Sequence, residues 1–249
     1  MPVIFFLIGC DVLPNEKITI PGGGVAITFD DDFIDDWYNI HHMLEKYNWR
    51  ATFFVSQFDK LDSGRIEKLK FLQEYGHEIG GHGFNHFRAP DYVRDYGLTA
   101  YLENEIYPMK QLMAENGFLI TSFAYPRSVR SDEIDAALLK EFKVIRGGTS
   151  LRKKVILQRK IKLLTCRRCF HNVLYGISLD NRDYEMSFIK SVVEKARKKN
   201  KIVILLSHEV VEVADNKTYQ TEYQRLIELC ELINKNNMKF LLISDLYKK

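Results

Sequence analysis

From Val25 to Ser244 the chain alternates short β-rich apolar runs with stretches whose apolar residues recur every three to four positions, and this alternation constrains the fold most tightly. Val25 to Phe29 reads as a strand, Trp37, Ile40, His41 and Leu44 as one face of a helix, and Ala51 to Val55 as the next strand. Helical spacing returns from Arg65 to Tyr75, with Ile66, Leu69 and Leu72 on one face and Gly76 as the stop. Tyr101 to Glu115 is expected to be a further helix, Ser122 to Tyr125 a strand and Glu133 to Glu141 a helix. Lys201 to Ser207 (strand), Thr221 to Asn236 (helix) and Lys239 to Ser244 (strand) complete the series. Parallel strands need long crossovers, so strands that alternate with helices imply a parallel sheet covered by helices, either open or closed into a barrel.

In such architectures ligands sit at the carboxyl ends of the strands. Asp30, Asp31 and Asp32 stand just beyond the first strand, and His208 just beyond Ile202 to Ser207. One carboxylate there serves as a helix cap before Trp37; three in a row repel one another unless a cation intervenes. His82-Gly83-Phe84-Asn85-His86 places two imidazoles four apart, the spacing of one face of a helical turn. The pattern is not that of the zincins, because Gly83 stands where their glutamate base would be. Read from spacing alone, the pair is either a chance occurrence or a pair of metal ligands.

Composition narrows the function classes. The 249 residues are 46% hydrophobic, enough for one substantial core, and a formal charge of +3 supplies no bulk field for nucleic acid. The basic clusters Arg152 to Lys154 and Arg197 to Lys201 lack interleaved aromatics and read as solvated surface. Val3 to Ile8 is an apolar run too short to span a bilayer, and it ends at Gly9-Cys10. Leu7-Ile8-Gly9-Cys10 resembles a bacterial lipobox, so residues 1–23 are expected to be a lipoprotein signal peptide with a short linker. The expected location is then the bacterial cell envelope, with membrane contact only through a lipid anchor at Cys10. The other reading of the run is a buried first strand or a chance run, and the protein would then be expected to be cytoplasmic. Cys166 and Cys169 form half of a zinc knuckle without its second half.

The order of these pieces resembles the polysaccharide deacetylases with a NodB homology domain, carbohydrate esterase family 4. Thr28-Phe29-Asp30-Asp31 matches the first family motif, His82 to His86 the second, and Leu205-Leu206-Ser207-His208 the fifth. Ala124-Tyr125-Pro126-Arg127 keeps only part of the third. The likeness runs from Val25 to Tyr247 and implies a distorted (β/α)7 barrel, NodB-like, over residues 24–249.

The resemblance further implies a metal-dependent hydrolase that removes acetyl groups from an acetylated polysaccharide or oligosaccharide. Asp31, His82 and His86 would hold a divalent ion, expected to be zinc. Asp30 would be the general base and His208 the general acid. Tyr125, Pro126, Arg127 and Leu205 would contact substrate, Leu205 at the acetyl methyl and a backbone N–H near Arg127 at the oxyanion. Two departures stand out. Ala124 occupies the position of the family's third-motif arginine, so Arg127 or Arg168 is expected to supply that charge, and no fourth motif of the Asp-x-x-Asp-Trp type is read. Gly83 replaces a hydroxyl residue that supports the metal loop in relatives. An O-acetyl esterase shares these residues, and a glycan-binding module on the same fold is the alternative outside enzymes.

Overall fold

The computed structural model describes residues 22–148 and 172–247. Seven parallel strands close into a barrel: β1 (Gly24–Asp31), β2 (Ala51–Val55), β3 (Glu78–Gly81), β4 (Ser122–Ala124), β5 (Val144–Gly148), β6 (Val173–Ser178) and β7 (Ile202–Ser207). Closure is made by β7 pairing with β1, in a register that sets Ile27 beside Leu205 and Phe29 beside Ser207. Around the barrel lie α1 (Ile34–Leu44), α2 (Ser63–Glu74), α3 (Ala89–Tyr96), α4 (Leu98–Tyr101), α5 (Tyr107–Glu115), α6 (Asp132–Glu141), α7 (Met186–Lys198) and α8 (Tyr223–Lys235). The NodB-like (β/α)7 barrel expected from the sequence is the fold observed.

Alternation along the strands divides the core into two layers. Ala26, Phe54, Ala124, Val144, Leu174 and Ile204 form a cluster inside the barrel, closed below by Leu241, Ile243 and Leu246. Their neighbours Ile27, Phe29, Phe53, Ile145, Val203 and Leu205 face the helices. Outside, Phe53 stacks on Phe29 at 5.1 Å and on Trp37 at 5.2 Å, pinning α1 against β1 and β2. Burying each such side chain contributes about 1.5–3 kcal/mol. Trp37 also donates from Nε1 to the carbonyl of His208 at 3.1 Å, so the same packing fixes the backbone of a site residue. His41, read as part of the apolar face of α1, is buried against His77, with 2.9 Å between His41 Nδ1 and His77 Nε2.

Several elements differ from the sequence reading. No strand is read from the sequence between Tyr125 and Lys201, yet β5 and β6 lie there. Helix α7, whose Ile189, Val192, Val193 and Ala196 are buried, was not read at all. The single helix expected over Tyr101 to Glu115 contains a π turn, Leu102–Ile106, just before Pro108, which has no N–H for the carbonyl a turn back. The last strand is only Lys239–Phe240 (β8), because side chains then take over the backbone donors. Ile243 N–H donates to Thr52 Oγ1 at 3.0 Å and Ser244 N–H to Glu78 Oε2 at 3.0 Å. Cys10, Cys166, Cys169 and Arg168 lie outside the described residues.

Candidate active site

Because side chains alternate along β1, Ala26, Thr28 and Asp30 point into the barrel, and Asp30 arrives at its carboxyl end almost fully buried. Asp31 follows with φ 84°, a left-handed conformation that turns its carboxylate toward the ends of the neighbouring strands. Neither aspartate caps α1, whose first turn has no side-chain cap and carries its own Asp35 and Asp36. Asp31 Oδ1 lies 3.4 Å from His82 Nε2 and 3.1 Å from His86 Nε2. One ligand atom from each of Asp31, His82 and His86 falls within 4.8 Å of the others. Burial alone would push the Asp31 carboxyl up, but the two imidazoles reverse this and hold it well below the usual carboxylate range.

Two imidazoles and a carboxylate at this spacing suit a divalent first-row ion. The orientation of His82 agrees: its Nδ1 lies 2.9 Å from the Ala124 carbonyl, to which it donates, so the Nε2 lone pair faces Asp31. His82 and His86 are not on a helical turn, contrary to the spacing argument. They belong to an irregular loop after β3 in which Gly83 has φ 87° and His86 φ 62°.

A buried carboxylate organises this loop. Glu105, in the π turn, accepts from Asn85 N–H at 2.9 Å and Asn85 Nδ2 at 2.7 Å through Oε1, and from Phe87 N–H at 3.4 Å through Oε2. Burial raises its pKa, and the Asn85 and Phe87 donors oppose the shift. A Cβ at position 83 would come within 2.9 Å of Glu105 Oε2, so glycine there is matched to the carboxylate. Where relatives carry a supporting hydroxyl at position 83, this loop is held by Glu105. Gly83→Ser is expected to cost about 1–3 kcal/mol from strain and crowding, and to weaken zinc binding about tenfold. Thermal unfolding and calorimetric zinc titration measure the two effects; wild-type values for both would reject this role of Glu105.

The charge missing at Ala124 comes from the next strand. Arg146 on β5 is fully buried, and its Nη2 donates to Asp30 Oδ1 and Oδ2, each at 2.6 Å. Its guanidinium also lies over the Phe54 ring, 5.2 Å from the centroid. Ala124 and Arg146 are direct register partners, so the cation enters from one strand over. Arg127, expected to play this part, lines the cavity instead and makes no ion pair with Asp30.

His208 is held in the same manner. Its Nδ1 is 2.7 Å from Asp180 Oδ2, while Asp180 Oδ1 accepts from Thr221 Oγ1 at 3.0 Å and Thr221 accepts from Ser207 at 2.8 Å. Burial works against the imidazolium, but the carboxylates of Asp180, Asp30 and Asp31 outweigh it and push the His208 pKa from 6.5 up to about 9. Asp180 opens Asp180-Asn181-Arg182-Asp183-Tyr184, an Asp-x-x-Asp-Tyr sequence. It differs in one residue, tyrosine for tryptophan, from the Asp-x-x-Asp-Trp type that was not read from the sequence.

Asp30, Asp31, His82, His86 and His208 meet at one cavity of about 590 Å³, bordered also by Arg127, Ser128, Asp183, Tyr184, Leu206 and Tyr219. Three of the expected substrate contacts do not reach it. Leu205 faces outward into the helix layer, and Leu206 takes the inward position on β7. Tyr125 is fully buried, its hydroxyl donating to Asp135 at 2.7 Å, and Pro126 is buried behind Gly83.

A carboxylate with a guanidinium beside it, an imidazole with a carboxylate behind it and an Asp-His-His cluster spaced for a divalent ion all stand at the carboxyl ends of the seven-stranded barrel. The model of the polysaccharide deacetylase family matches residues 17–144, just over half of the chain, and the protein belongs to that family. Among solved structures it is similar to a family 4 acetyl xylan esterase from Clostridium thermocellum, at 17% identity over 89% of each chain with a TM-score of 0.53. It is also similar to the catalytic domain of a peptidoglycan N-acetylglucosamine deacetylase from Eubacterium rectale, at 16% identity over 90% of each chain with a TM-score of 0.50. A peptidoglycan deacetylase from Bacillus subtilis compares at 16% identity, 93% of this chain and 91% of that one, and a TM-score of 0.51. At these identities the likeness establishes the fold. No curated protein matches the sequence.

Proposed function

We propose that the protein is a metal-dependent hydrolase that removes acetyl groups from the sugars of an acetylated polysaccharide. The observation that carries this reading is the pairing of Arg146 with Asp30 and of Asp180 with His208 around one cavity that also contains Asp31, His82 and His86. A module that only binds glycan needs no base held beside a buried cation and no acid backed by a buried carboxylate. That weighs against the binding-module alternative.

Asp31, His82 and His86 would hold the ion, with zinc the first choice for this donor set. When bound, a divalent ion supplies Lewis acidity, favouring ionisation of a water and polarising the acetyl carbonyl. Asp30, held at both oxygens by Arg146, accepts the proton of the attacking water. His208, protonated at neutral pH, faces the cavity with its Nδ1 committed to Asp180 and donates from Nε2 to the leaving nitrogen or oxygen. Leu206 supplies the apolar wall for the acetyl methyl, and a backbone N–H near Arg127 is the proposed second oxyanion donor. The similar structures include both an ester hydrolase and an N-acetylglucosamine deacetylase, the former with a cobalt ion. The envelope location, with an anchor at Cys10, is part of this proposal and rests on sequence alone.

The deciding experiment measures acetate release by zinc-loaded protein from N-acetylglucosamine oligomers and from acetylated xylan. Release that is abolished by a chelator, restored by zinc and absent in Asp30→Asn is the expected result. Binding of both glycans without acetate release would sink the enzyme reading.

A further inference from the structure

A second hollow, of about 630 Å³, opens beside the first, and the two share His86 and Arg127 as common walls. Its floor is aromatic. Phe87 stacks on Tyr92 with centroids 5.2 Å apart at 25°, and Tyr92 meets Tyr96 at 4.9 Å. Tyr92 also packs on the core, whereas Phe87 is 44% and Tyr96 69% exposed, an unusual outlay of aromatic surface. The rim is charged but internally balanced. Arg88 pairs with Asp91 at 2.9 Å, and Arg94 reaches Asp91 at 3.3 Å and Asp95 at 2.8 Å.

We propose that this hollow is a subsite for an uncharged pyranose ring of the same polymer whose acetylated unit occupies the active-site cavity; the inference rests on the proposed function. An aromatic shelf takes the C–H face of a sugar through apolar contact, while the carboxylates and guanidinium at its edge meet the hydroxyl groups. With Asp91 and Asp95 already paired to Arg88 and Arg94, the rim offers no net field to draw a charged ligand, while its polar atoms can still meet hydroxyl groups. Continuity through His86 and Arg127 makes the neighbouring sugar of a bound chain the natural occupant.

The subsite predicts that kcat/KM for acetate release rises with oligomer length from the monomer to the hexamer of N-acetylglucosamine. It further predicts that most of this rise, about tenfold, is lost in Phe87→Ala/Tyr96→Ala through KM and not kcat. A length dependence identical in the double variant and the wild type would overturn it. A calorimetric arm separates this failure from failure of the enzyme reading. Hexamers of N-acetylglucosamine and of xylose are titrated into wild type and into the double variant, both checked for unchanged thermal unfolding. At least one hexamer should bind wild type and bind the variant about tenfold more weakly, whether or not acetate is released. Equal binding by the two proteins, or no binding of either hexamer to wild type, would refute the subsite.

Discussion

Arg146→Met is expected to lower kcat for acetate release by about 10²- to 10⁴-fold, the range in which a general base contributes. Arg146 touches neither the cavity nor the proposed ligands, and it acts on turnover through Asp30. Methionine keeps much of the side-chain volume over Phe54 but removes the charge. Asp30 then becomes a buried carboxylate with no countercharge, a situation that costs about 3–5 kcal/mol. It also loses the donor that fixes both of its oxygens, and with it the alignment a base needs toward the attacking water. Zinc affinity, assigned in the proposed function to Asp31, His82 and His86, is expected to stay within about threefold of wild type, so the loss appears in kcat and not in metal loading. Wild-type kcat in Arg146→Met would refute the assignment.

The register partnership makes a stricter test. Ala124 and Arg146 lie side by side on adjacent strands, and both side chains enter the barrel. Arg146→Ala alone should be as impaired as Arg146→Met, and adding Ala124→Arg should recover a substantial part of kcat, because the new guanidinium enters the space the old one vacates. No recovery in a double variant that folds and binds zinc would show that the direction of approach to Asp30, as well as the charge, is essential.

How much of this was legible in the sequence follows from the range of each interaction. Asp30 and Asp31 could be read because strand periodicity and the end of an apolar run fix where they stand. His82 and His86 could be read as a pair, but not as a loop, since the left-handed turns at Gly83 and His86 depend on Glu105. Arg146 was hidden for a different reason. It lies 116 residues from Asp30 in a short strand, and a lone arginine there carries no local signal of its partner. The available clue was the gap at Ala124 together with parallel strand order, which brings the next strand's inward residue to the same place. Asp180 did have a local signal, Asp-x-x-Asp followed by an aromatic residue, and insistence on tryptophan concealed it. Leu205 and Leu206 show the cost of a one-residue error in a strand: the side chain lands on the opposite face of the sheet.

Asp180→Asn should produce a loss of similar size, about 10²- to 10⁴-fold in kcat, with a pH signature that identifies the residue it acts through. His208 must carry a proton to donate one, so the rate falls as pH rises through its pKa, about 9 without a metal ion and ordinarily 6.5. A divalent ion held by Asp31 cancels part of the negative charge that raises this value. The alkaline limb of the loaded enzyme is therefore expected between 6.5 and 9. After the always unfavourable effect of burial, Asp180 is the largest influence and the strongest favouring the imidazolium, so the Asn variant should shift the limb downward by a unit or more, about 1.4 kcal/mol per unit. Stability carries the same sign. The folded state retains a proton that the unfolded chain releases above 6.5, so the contribution is complete below 6.5 and is lost as pH rises toward 9. In Asp180→Asn that pH-dependent loss should shrink or vanish in urea midpoints measured from pH 6 to 10. A variant with reduced kcat but an unmoved alkaline limb would mean that Asp180 only orients the ring, and that His208 does not depend on it for its charge.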